Sequence, residues 1–256
     1  MFDGRRRQRI LERLTAAGEV EVSSLAAEFG CSAKTIRRDL AALARAGHLQ
    51  RQHGGAIATT PPDLPPVLRR ADRDRQAKER AAALVPGLVP PGGLVFLGGG
   101  STMLAVAARL RELPASVGFV TTMPDIAQLL ATGDRHEVHL AGGQLDPATR
   151  TVEGPEALRF LEARRFDLAL IGASAIDAED GVMGPSAGHL DLAEVVRRRA
   201  RRLAVVADAS KFGRGDRYAL YGFDRIAAIV TDRLPPDPFP ECARAAGAAL
   251  ILPGLR

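Results

Sequence analysis

Hydroxyl and basic side chains open a short helical pattern near the N-terminus. Gly30-Cys31-Ser32 joins two amphipathic patterns, and the second begins Ser32-Ala-Lys-Thr-Ile-Arg-Arg38. This arrangement is typical of a helix-turn-helix, in which the first turn of the second helix enters the major groove of DNA. Hydroxyl, ammonium and guanidinium groups there can reach base edges and phosphates. The candidate DNA-binding residues are Ser32, Lys34, Thr35, Arg37 and Arg38 on this helix, with Arg51 and His53 in a wing that follows it.

The distribution of charge favours a polyanion as the partner of this segment. The 256 residues include 35 Lys or Arg and 30 Asp or Glu, which gives a net charge of +5. Residues 1–57 hold ten of the basic and six of the acidic residues, so they carry +4 and the rest of the chain +1. Such a basic module is the electrostatic footprint of nucleic-acid binding. The alternative, a small helical bundle with a solvated basic face, accounts less well for the Arg37-Arg38 pair and the wing.

Three helical patterns and a hairpin fill the N-terminal segment. The helices are expected at residues 3–17, after a cap at Ser23 or Ser24, and at residues 33–46; residues 20–22 form a brief extended piece and residues 48–57 a hairpin. Their inward-facing residues are Ile10, Leu11, Leu14, Leu25, Ala26, Phe29, Ile36, Leu40 and Leu43.

A proline-rich stretch separates this segment from the rest of the chain. Four prolines between Ala58 and Pro66 exclude a helix, because proline lacks the backbone N–H and clashes with the preceding turn. The stretch predicts a stiff, extended linker. We therefore expect a winged helix-turn-helix domain at residues 1–57, a linker at 58–68 and an effector-sensing domain at 69–256.

Beyond the linker, apolar runs alternate with helical patterns. The runs are Leu94–Leu97, Val117–Thr121, Val138–Ala141, Leu168–Gly172, Leu203–Ala207, Ala228–Thr231 and Ala249–Leu252. The helical patterns between most of them are Thr102–Arg111, Pro124–Ala131, Pro155–Arg164 and Asp191–Arg201. Continuously apolar strands alternating with helices predict an α/β domain with a largely parallel sheet covered on both faces.

Small and polar residues follow several of these runs, at the edge where parallel sheets bind ligands. Phe96-Leu-Gly-Gly-Gly-Ser-Thr102 opens a helix, so its backbone N–H groups and hydroxyls favour an anion, although a tight turn needs the same small residues. The candidate effector-binding residues are Gly98, Gly99, Gly100, Ser101, Thr102, Thr121, Thr122, Gly142, Gly143, Asp177 and Lys211.

The charged members of this group each have two interpretations. Lys211 can supply the positive charge that a phosphate needs, or it can be a solvated surface residue. Asp177, Asp208 or Glu194 can accept hydrogen bonds from sugar hydroxyls. Alternatively, Asp208 caps a turn and Glu194 lies on the outer face of a surface helix.

Composition excludes several other classes. No apolar run approaches the ~18 residues that a membrane span needs, and no apolar segment follows the N-terminal arginines, so no signal peptide is expected. Cys31 and Cys242 cannot form a disulfide scaffold or a four-thiolate metal site. His136 and His139 face opposite sides of an expected strand and do not suit a metal. We expect a cytoplasmic protein with no metal and no cofactor.

The N-terminal segment resembles the DeoR family of bacterial transcription regulators. The run from Val22 to Leu43 carries this resemblance, especially its part Thr-Ile-Arg-Arg-Asp-Leu40, together with Gly47-His-Leu and Arg51-Gln-His-Gly-Gly-Ala56. The resemblance implies a winged helix-turn-helix followed by a sensor of sugar phosphates. Cys31 stands where the family commonly has Val, and a small buried thiol should pack similarly.

The resemblance extends over about residues 4–232. It includes Phe166-Asp-Leu-Ala-Leu-Ile-Gly-Ala-Ser-Ala-Ile-Asp177, Gly181, the helix of Glu194 and Ala207-Asp-Ala-Ser-Lys-Phe-Gly213. The family's sensor domain is similar to ribose-5-phosphate isomerase and glucosamine-6-phosphate deaminase, which implies that fold and a phosphorylated metabolite as effector. Where the family usually reads Asp-Ser-Gly-Thr-Thr, this chain has Gly-Gly-Gly-Ser-Thr102, so a carboxylate that could hold a sugar hydroxyl is missing.

These patterns predict a DNA-binding transcription regulator, by family habit a repressor of carbohydrate or related metabolic genes. Its expected partners are double-stranded operator DNA, a small phosphorylated metabolite and further copies of the chain, since one small reader makes too few contacts for typical specific affinity. The alternative is a sugar-phosphate isomerase- or deaminase-like enzyme with an appended DNA-binding domain. That reading requires Glu194 or an aspartate as the base for proton transfer. The chain lacks a paired Asp-Gly-Ala-Asp cluster, so we expect no catalytic residues.

Overall fold

The smaller and the larger part of the chain each bury a hydrophobic core of their own. The computed structural model describes residues 6–7, 9–11, 13–14, 19–45, 49–52, 54–58 and 67–254. Two compact units divide the chain, Met1–Pro65 and Pro66–Arg256. Residues 59–66 of the expected linker and the expected ends of the first helix lie outside the described residues.

The smaller unit is a winged helix-turn-helix. Its described residues between 6 and 14 are helical, and the further elements are β1 (Glu19–Glu21), α1 (Val22–Phe29), α2 (Ala33–Arg45), β2 (Leu49–Gln52) and β3 (Gly55–Ala58). The three strands form an antiparallel sheet in the order β1-β3-β2. The expected helices and hairpin are confirmed, and β1 adds a third strand where the sequence indicated only an extended piece.

Helix α1 begins at Val22, two residues before the start that a cap at Ser23 would give and three before that of a cap at Ser24. Its N-cap position is Glu21, without a side-chain cap hydrogen bond, so neither Ser23 nor Ser24 caps the helix. Val22 is buried, and its N–H donates to the carbonyl oxygen of Gly54 at 2.9 Å. The start of α1 is therefore set by its contact with the hairpin.

Strand β1 needs a glycine opposite it. A Cβ atom at Gly55 would lie 2.1 Å from the carbonyl oxygen of Val20, so no larger residue lets β3 approach β1 this closely.

The core of the smaller unit consists of residues predicted from helical periodicity. Ile10, Leu14, Leu25, Ile36, Leu40 and Leu43 are buried in it, and Leu11, Ala26 and Phe29 pack partly buried against it. Burial of these side chains holds the three helices together.

The larger unit contains a seven-stranded sheet, two small antiparallel sheets and seven helices among its described residues. Its elements are α3 (Val67–Asp72), α4 (Arg75–Ala82), β4 (Leu94–Leu97), α5 (Ser101–Leu110), β5 (Gly118–Thr121), α6 (Pro124–Leu130), β6 (Glu137–Leu140), β7 (Gln144–Asp146), β8 (Thr151–Glu153), α7 (Pro155–Glu162), β9 (Leu168–Ile171), β10 (Ala175–Asp177), β11 (Gly181–Gly184), α8 (Ala187–Arg199), β12 (Leu203–Val206), β13 (Tyr218–Tyr221), β14 (Ala228–Val230), α9 (Phe239–Ala245) and β15 (Ala249–Ile251). Short 3-10 turns cover Val85–Leu88, Ala209–Lys211 and Phe223–Arg225.

The central sheet confirms the expected parallel architecture. Its order is β15-β14-β12-β9-β4-β5-β6, and every neighbouring pair is parallel. Each strand coincides, to within about one residue, with one of the predicted apolar runs. Val95 and Leu97 belong to one hydrophobic cluster and Phe96 to another, so β4 is covered on both faces. The loops after the neighbouring strands β4 and β9 meet at the carboxyl edge, where such sheets bind ligands.

Several elements of the larger unit differ from expectation. Helix α3 begins at Val67, inside the expected linker, because the Val67 side chain is fully buried in the core of the larger unit. Helix α8 begins at Ala187 rather than at Asp191, because Ser186 caps it by accepting from the N–H of His189. Helices α4 and α9 and the small sheets β7-β8 and β10-β11-β13 were not predicted from the sequence.

Candidate functional site

The first turn of α2 presents polar side chains. The Ser32 hydroxyl accepts a hydrogen bond from Thr35 N at 3.2 Å, and the two hydroxyl oxygens lie 2.9 Å apart. Ser32 therefore caps α2. Gly30 ends α1 in the left-handed conformation, with φ of 59°, and so allows the sharp turn between the helices. Ser32 and Lys34 are exposed, whereas Thr35 is half-buried.

A buried aspartate joins α2 to the first helix. Asp39 is 2% exposed, and its carboxylate accepts hydrogen bonds from Arg6 Nε at 2.6 Å and from Arg7 Nε at 3.0 Å. Two arginines that contribute to the basic charge of the sequence thus stabilise the fold of the smaller unit.

The carboxylate of Glu28 forms ion pairs with two more arginines. Glu28 on α1 lies 2.8 Å from Arg13 Nη2 and 3.5 Å from Arg9 Nη2. The Arg9 guanidinium also lies 5.2 Å from the ring centroid of Phe29. Arg9 and Arg13 are therefore paired on the surface of the first helix.

Three basic side chains on α2 keep their charge exposed. Lys34, Arg37 and Arg38 are exposed and have no ion pair within the described part of the chain. Their spacing of three and four residues makes them neighbours on one side of the helix. A shallow cleft of about 190 Å³ adjoins them, lined by Arg6, Ser32, Lys34, Thr35, Arg38 and Asp39. Uncompensated cations beside a cleft at a helix N-terminus favour phosphate and base contacts.

The wing carries the remaining candidate DNA-binding residues. Arg51 lies on β2 opposite Ala56 of β3. Gly54 adopts φ of 85° in the hairpin turn, as a two-residue connection requires. His53 lies outside the described residues.

In the larger unit, the glycine loop after β4 packs against β9 and the β7-β8 hairpin. Gly98 N donates to the carbonyl oxygen of Leu170 at 2.9 Å. A Cβ atom at Gly99 would lie 2.2 Å from the methyl carbon of Thr151, and Gly100 has φ of 108°. Ser101 and Thr102 then begin α5, with Thr102 buried. The loop consequently presents backbone groups rather than side chains at the sheet edge.

Buried polar atoms without a hydrogen-bond partner collect near this edge. Among the described residues they include Thr122 Oγ1 after β5, Asp208 Oδ2 after β12, Thr231 Oγ1 after β14 and Arg70 Nε on α3. Buried polar groups in proteins are normally hydrogen-bonded. A further such atom, His136 Nδ1, precedes β6 at the opposite edge. The atoms at the carboxyl edge are available to a polar ligand.

The other expected residues near the loop shape the backbone. Thr121 Oγ1 accepts from Met123 N at 3.1 Å and so stabilises the turn after β5. Gly142 and Gly143 lie between β6 and β7, and a Cβ atom at Gly143 would lie 2.5 Å from the carbonyl oxygen of Glu153.

Lys211 lies on the turn after β12, close to the buried carboxylate of Asp208. Burial lowers the pKa of the Lys211 ammonium, Asp208 raises it, and the nearby charge of Arg70 lowers it again. Asp208 Oδ1 accepts from Ser210 N at 3.1 Å, so Asp208 does cap the turn, while its Oδ2 stays unpartnered within the described residues. Lys211 is thus a half-buried cation rather than a solvated one.

Arg70 on α3 and Lys78 on α4 are two further cations near Lys211 and Asp208, and we call the three cations the cation cluster. Lys78 is 4% exposed, and its ammonium donates to the carbonyl oxygens of Arg70 and Arg73 at the end of α3. Burial lowers the pKa of Lys78, Asp208 raises it and Lys211 lowers it. Burial also lowers the pKa of the Arg70 guanidinium. Asp74 also raises the pKa of Lys78, and Arg214 and Arg73 also lower the pKa of Lys211. The cations therefore outnumber the carboxylates here, which suits an anionic group.

His189 lies on the first turn of α8, within electrostatic range of this cluster. Its Nδ1 lies 2.7 Å from Ser186 Oγ. Burial lowers the pKa of His189, Arg70 lowers it further, and Asp216 and Asp146 raise it. The imidazole is therefore neutral at neutral pH.

Two acidic candidates are engaged elsewhere. Asp177 Oδ1 accepts from the N–H groups of Asp180 and Glu179, at 3.1 and 2.8 Å, and closes the turn between β10 and β11; these bonds lower the pKa of Asp177. Glu194 is about half exposed on α8 and lies 3.1 Å from Arg197 Nη2. Neither carboxylate points to proton-transfer chemistry.

Arg70, Lys78 and His189 were not predicted from the sequence. Their segments show no feature that marks them as binding residues, because their neighbours come from distant parts of the chain. One compositional signal was available: only three of the 35 basic residues are Lys, and two of these, Lys78 and Lys211, meet here.

Within the described residues, no group of three or more His, Cys, Asp and Glu side chains is placed to hold a metal ion. No helix in that part of the chain has the length and apolar character needed to cross a membrane.

Comparison with known proteins identifies the two units. Residues 6–61 match the model of the DeoR-like helix-turn-helix domain, and residues 73–233 match the DeoR C-terminal sensor domain. The chain is 33% identical over 255 residues to a putative aga operon transcriptional repressor of Escherichia coli O157:H7, covering 97% of this chain and 93% of that one. It is 31% identical to the glycerol-3-phosphate regulon repressor of Escherichia coli K12, over 92% of this chain and 93% of that one.

A solved structure, ribose 5-phosphate isomerase A from Neisseria gonorrhoeae, aligns with 55% of this chain and 53% of its own at 21% identity and a TM-score of 0.40. The family assignment depends instead on the two domain matches and on the relatives that span almost the whole chain. The protein is a member of the DeoR family of transcription regulators.

Proposed function

We propose that the protein represses carbohydrate or related metabolic genes and that a phosphorylated, sugar-like metabolite controls its binding to operator DNA. The DNA part is supported by Lys34, Arg37 and Arg38, which are exposed on one side of α2 and form no ion pair with the residues that the structure describes. Ser32, Thr35, Arg51 and His53 complete the proposed DNA-binding surface.

The proposed partner is double-stranded DNA, and we propose that the protein binds it as a homo-oligomer in the cytoplasm. One winged helix contacts only a few base pairs, whereas specific operators are bound by paired readers on repeated half-sites. We propose residues 1–57 as the DNA-binding domain and 69–256 as the effector domain, a division supported by the compact units that meet at residues 65 and 66.

The anionic end of the effector is proposed to bind the cluster of Arg70, Lys78 and Lys211 beside Asp208. Three observations support this: Lys211 is half-buried, Arg70 Nε has no hydrogen-bond partner among the described residues, and the pKa values of both groups are lowered. A bound anion would relieve the repulsion among the cations. The backbone of Gly98, Gly99 and Gly100, the hydroxyls of Ser101 and Thr102, and Thr121, Thr122, Gly142, Gly143 and Asp177 complete the proposed site.

We propose that the sensor does not catalyse a reaction. The ion pair of Glu194 with Arg197 and the turn hydrogen bonds of Asp177 support this, since neither carboxylate is placed as a free general base. One relative is named glycerol-3-phosphate regulon repressor, and this name supports our proposal that the effector of the present protein is a small phosphorylated metabolite.

The test is a fluorescence-anisotropy titration of DNA from the protein's own upstream region, with and without sugar phosphates. Nanomolar, salt-sensitive binding that one phosphorylated metabolite shifts is expected. Lys211→Met and Arg70→Met should keep DNA affinity and lose the metabolite response, whereas Arg244→Met, which removes an exposed arginine of α9, should keep both. DNA binding with no response to any phosphorylated compound would contradict the effector proposal, and turnover of a sugar phosphate would contradict the non-enzymatic one.

A further inference from the structure

One face of the β7-β8 hairpin carries a row of hydrogen-bonding side chains. Asp146 lies directly opposite Thr151 in the antiparallel register, and Glu153 follows Thr151 two residues later. Side chains with this spacing lie on the same face of a hairpin. Thr149 links them, since its Oγ1 donates to Asp146 Oδ2 at 2.8 Å and lies 2.6 Å from Thr151 Oγ1.

The hairpin places this row between the glycine loop and α8. The methyl group of Thr151 fills the space beside Gly99, where a Cβ atom would lie 2.2 Å from it. The carboxylate of Glu153 packs against Gly188, where a Cβ atom would lie 2.8 Å from Glu153 Oε2. Thr151 and Glu153 therefore supply polar side chains beside a loop that has none of its own.

The two hydroxyl protons of the row are used within it. Thr149 Oγ1 donates to Asp146 Oδ2, so the proton in its 2.6 Å contact with Thr151 Oγ1 belongs to Thr151. The Thr151 oxygen and the Glu153 carboxylate can therefore accept hydrogen bonds from a hydroxyl group of a ligand.

Glu153 is half-buried and has no ion pair within the described residues. Burial raises the pKa of Glu153, the negative charge of Asp146 raises it further, and the Thr151 hydroxyl lowers it. A carboxyl group in this situation gains from a neutral donor such as an alcohol.

The first turn of α8 links Glu153 to the proposed anion site. Gly188, which touches Glu153, directly precedes His189, whose pKa responds to both Arg70 and Asp146. The first turn of α8 therefore neighbours both the carboxyl group of Glu153 and the cation cluster.

We infer that Glu153, together with Thr151, binds a hydroxyl group of the effector and selects a polyhydroxylated phosphate over a bare phosphate. The inference rests on the proposed function, because the anionic end of the same ligand is assigned to Arg70 and Lys211. Glu153 determines specificity, and the cations provide the affinity for phosphate.

Isothermal titration calorimetry on the full-length protein tests this with inorganic phosphate, glycerol 3-phosphate, ribose 5-phosphate and fructose 6-phosphate. At least one hydroxylated phosphate should bind wild type about tenfold or more tightly than inorganic phosphate. Glu153→Leu should remove most of that advantage and change the affinity for inorganic phosphate less than about twofold. Glu153→Gln, which retains an acceptor and a donor, should keep most of the advantage.

A second variant moves the carboxylate without replacing it. Gly188→Ala introduces a methyl group whose three nearest atoms all belong to the Glu153 carboxylate, so we expect α8 to remain folded and the selectivity to fall as in Glu153→Leu. Gly133→Ala is the matched control, since a Cβ atom there meets nothing within 4 Å. Thermal unfolding of each variant verifies that it is folded.

The inference is overturned if Glu153→Leu and Gly188→Ala retain the full advantage of the hydroxylated phosphate, or if no such compound binds wild type better than inorganic phosphate. Neither result contradicts the proposed anion site, provided that inorganic phosphate binds to wild type and that Lys211→Met abolishes this binding. If neither inorganic phosphate nor any sugar phosphate binds wild type, the effector proposal fails together with the inference.

Discussion

Asp39 Oδ2 accepts a hydrogen bond from Arg6 Nε at 2.6 Å, and the two side chains are only 2% and 10% exposed. Because Arg7 Nε occupies the other carboxylate oxygen at 3.0 Å, this one aspartate connects α2 to two residues of the first helix. The orientation of Lys34, Arg37 and Arg38, which we propose to contact DNA, therefore depends on a buried carboxylate on the same helix.

Replacing Asp39 with Ala should destabilise the smaller unit by roughly 3–5 kcal/mol, since it removes the buried carboxylate that accepts hydrogen bonds from Arg6 and Arg7. Urea unfolding of the full-length protein measures the change. Glu28→Ala is the control: it removes a carboxylate whose partners Arg9 and Arg13 are about half exposed, so it should cost at most about 1 kcal/mol. Equal destabilisation by both variants would contradict the structural role of Asp39.

Arg37 and Arg38 of α2 should have different roles in DNA binding. Arg38 lines the cleft at the start of α2, whereas Arg37 does not. We expect Arg38→Ala to lose about 1–3 kcal/mol of operator affinity together with part of the sequence preference. Arg37→Ala should weaken operator and unrelated DNA alike and reduce the salt dependence by about one counterion. Anisotropy titrations at several salt concentrations distinguish the two, and identical behaviour of the variants would refute this assignment.

The contact between Gly99 and Thr151 can be tested by rescue. Gly99→Ala should cost about 1–3 kcal/mol of stability, because its new methyl group overlaps the Thr151 methyl group. Thr151→Ser removes that methyl group and keeps the hydroxyl, so the double variant should recover most of the loss. Unfolding free energies of both single variants and of the double variant give the coupling energy. A double variant no more stable than Gly99→Ala would show that the strain lies elsewhere.

His189 predicts a pH dependence of stability. Burial and Arg70 hold its pKa below the ordinary value of 6.5, so the unfolded chain takes up a proton at a higher pH than the folded one. The contribution of His189 to the stability is therefore complete above about pH 6.5. It is lost as the pH falls toward the lowered pKa that His189 has in the folded state. Unfolding free energies between pH 7.5 and 5.5 should decline less in His189→Gln than in wild type.

This comparison between His189→Gln and wild type also separates the contribution of His189 to the pH dependence of stability from that of Glu153. The pKa of Glu153 is raised in the folded state, so its contribution has the opposite sign and is present in both proteins. Parallel pH profiles of the variant and wild type would contradict the contribution of His189.

Local patterns determined the architecture of the protein. Each buried parallel strand is a continuous apolar run, and the core helices repeat their apolar residues every three to four positions, so short segments carry the information. The β7-β8 hairpin and α3 escaped prediction because three to six residues carry too little periodicity, and tertiary contacts define them. The adjacent prolines dominate the local pattern of Val67, for example, so the sequence predicts linker there, although the Val67 side chain is buried.

The sequence alone determined which residue types could read DNA and where ligands should collect, because helix starts and strand ends follow from local order. It could not decide which charges are available, since the partners Arg6 and Asp39 are 33 positions apart. Likewise, Arg70, Lys78 and Lys211 come from three separate segments, and only the packing of those segments brings them together. Pairing and burial of charge are properties of the tertiary structure, because they depend on distances in space that no local pattern encodes.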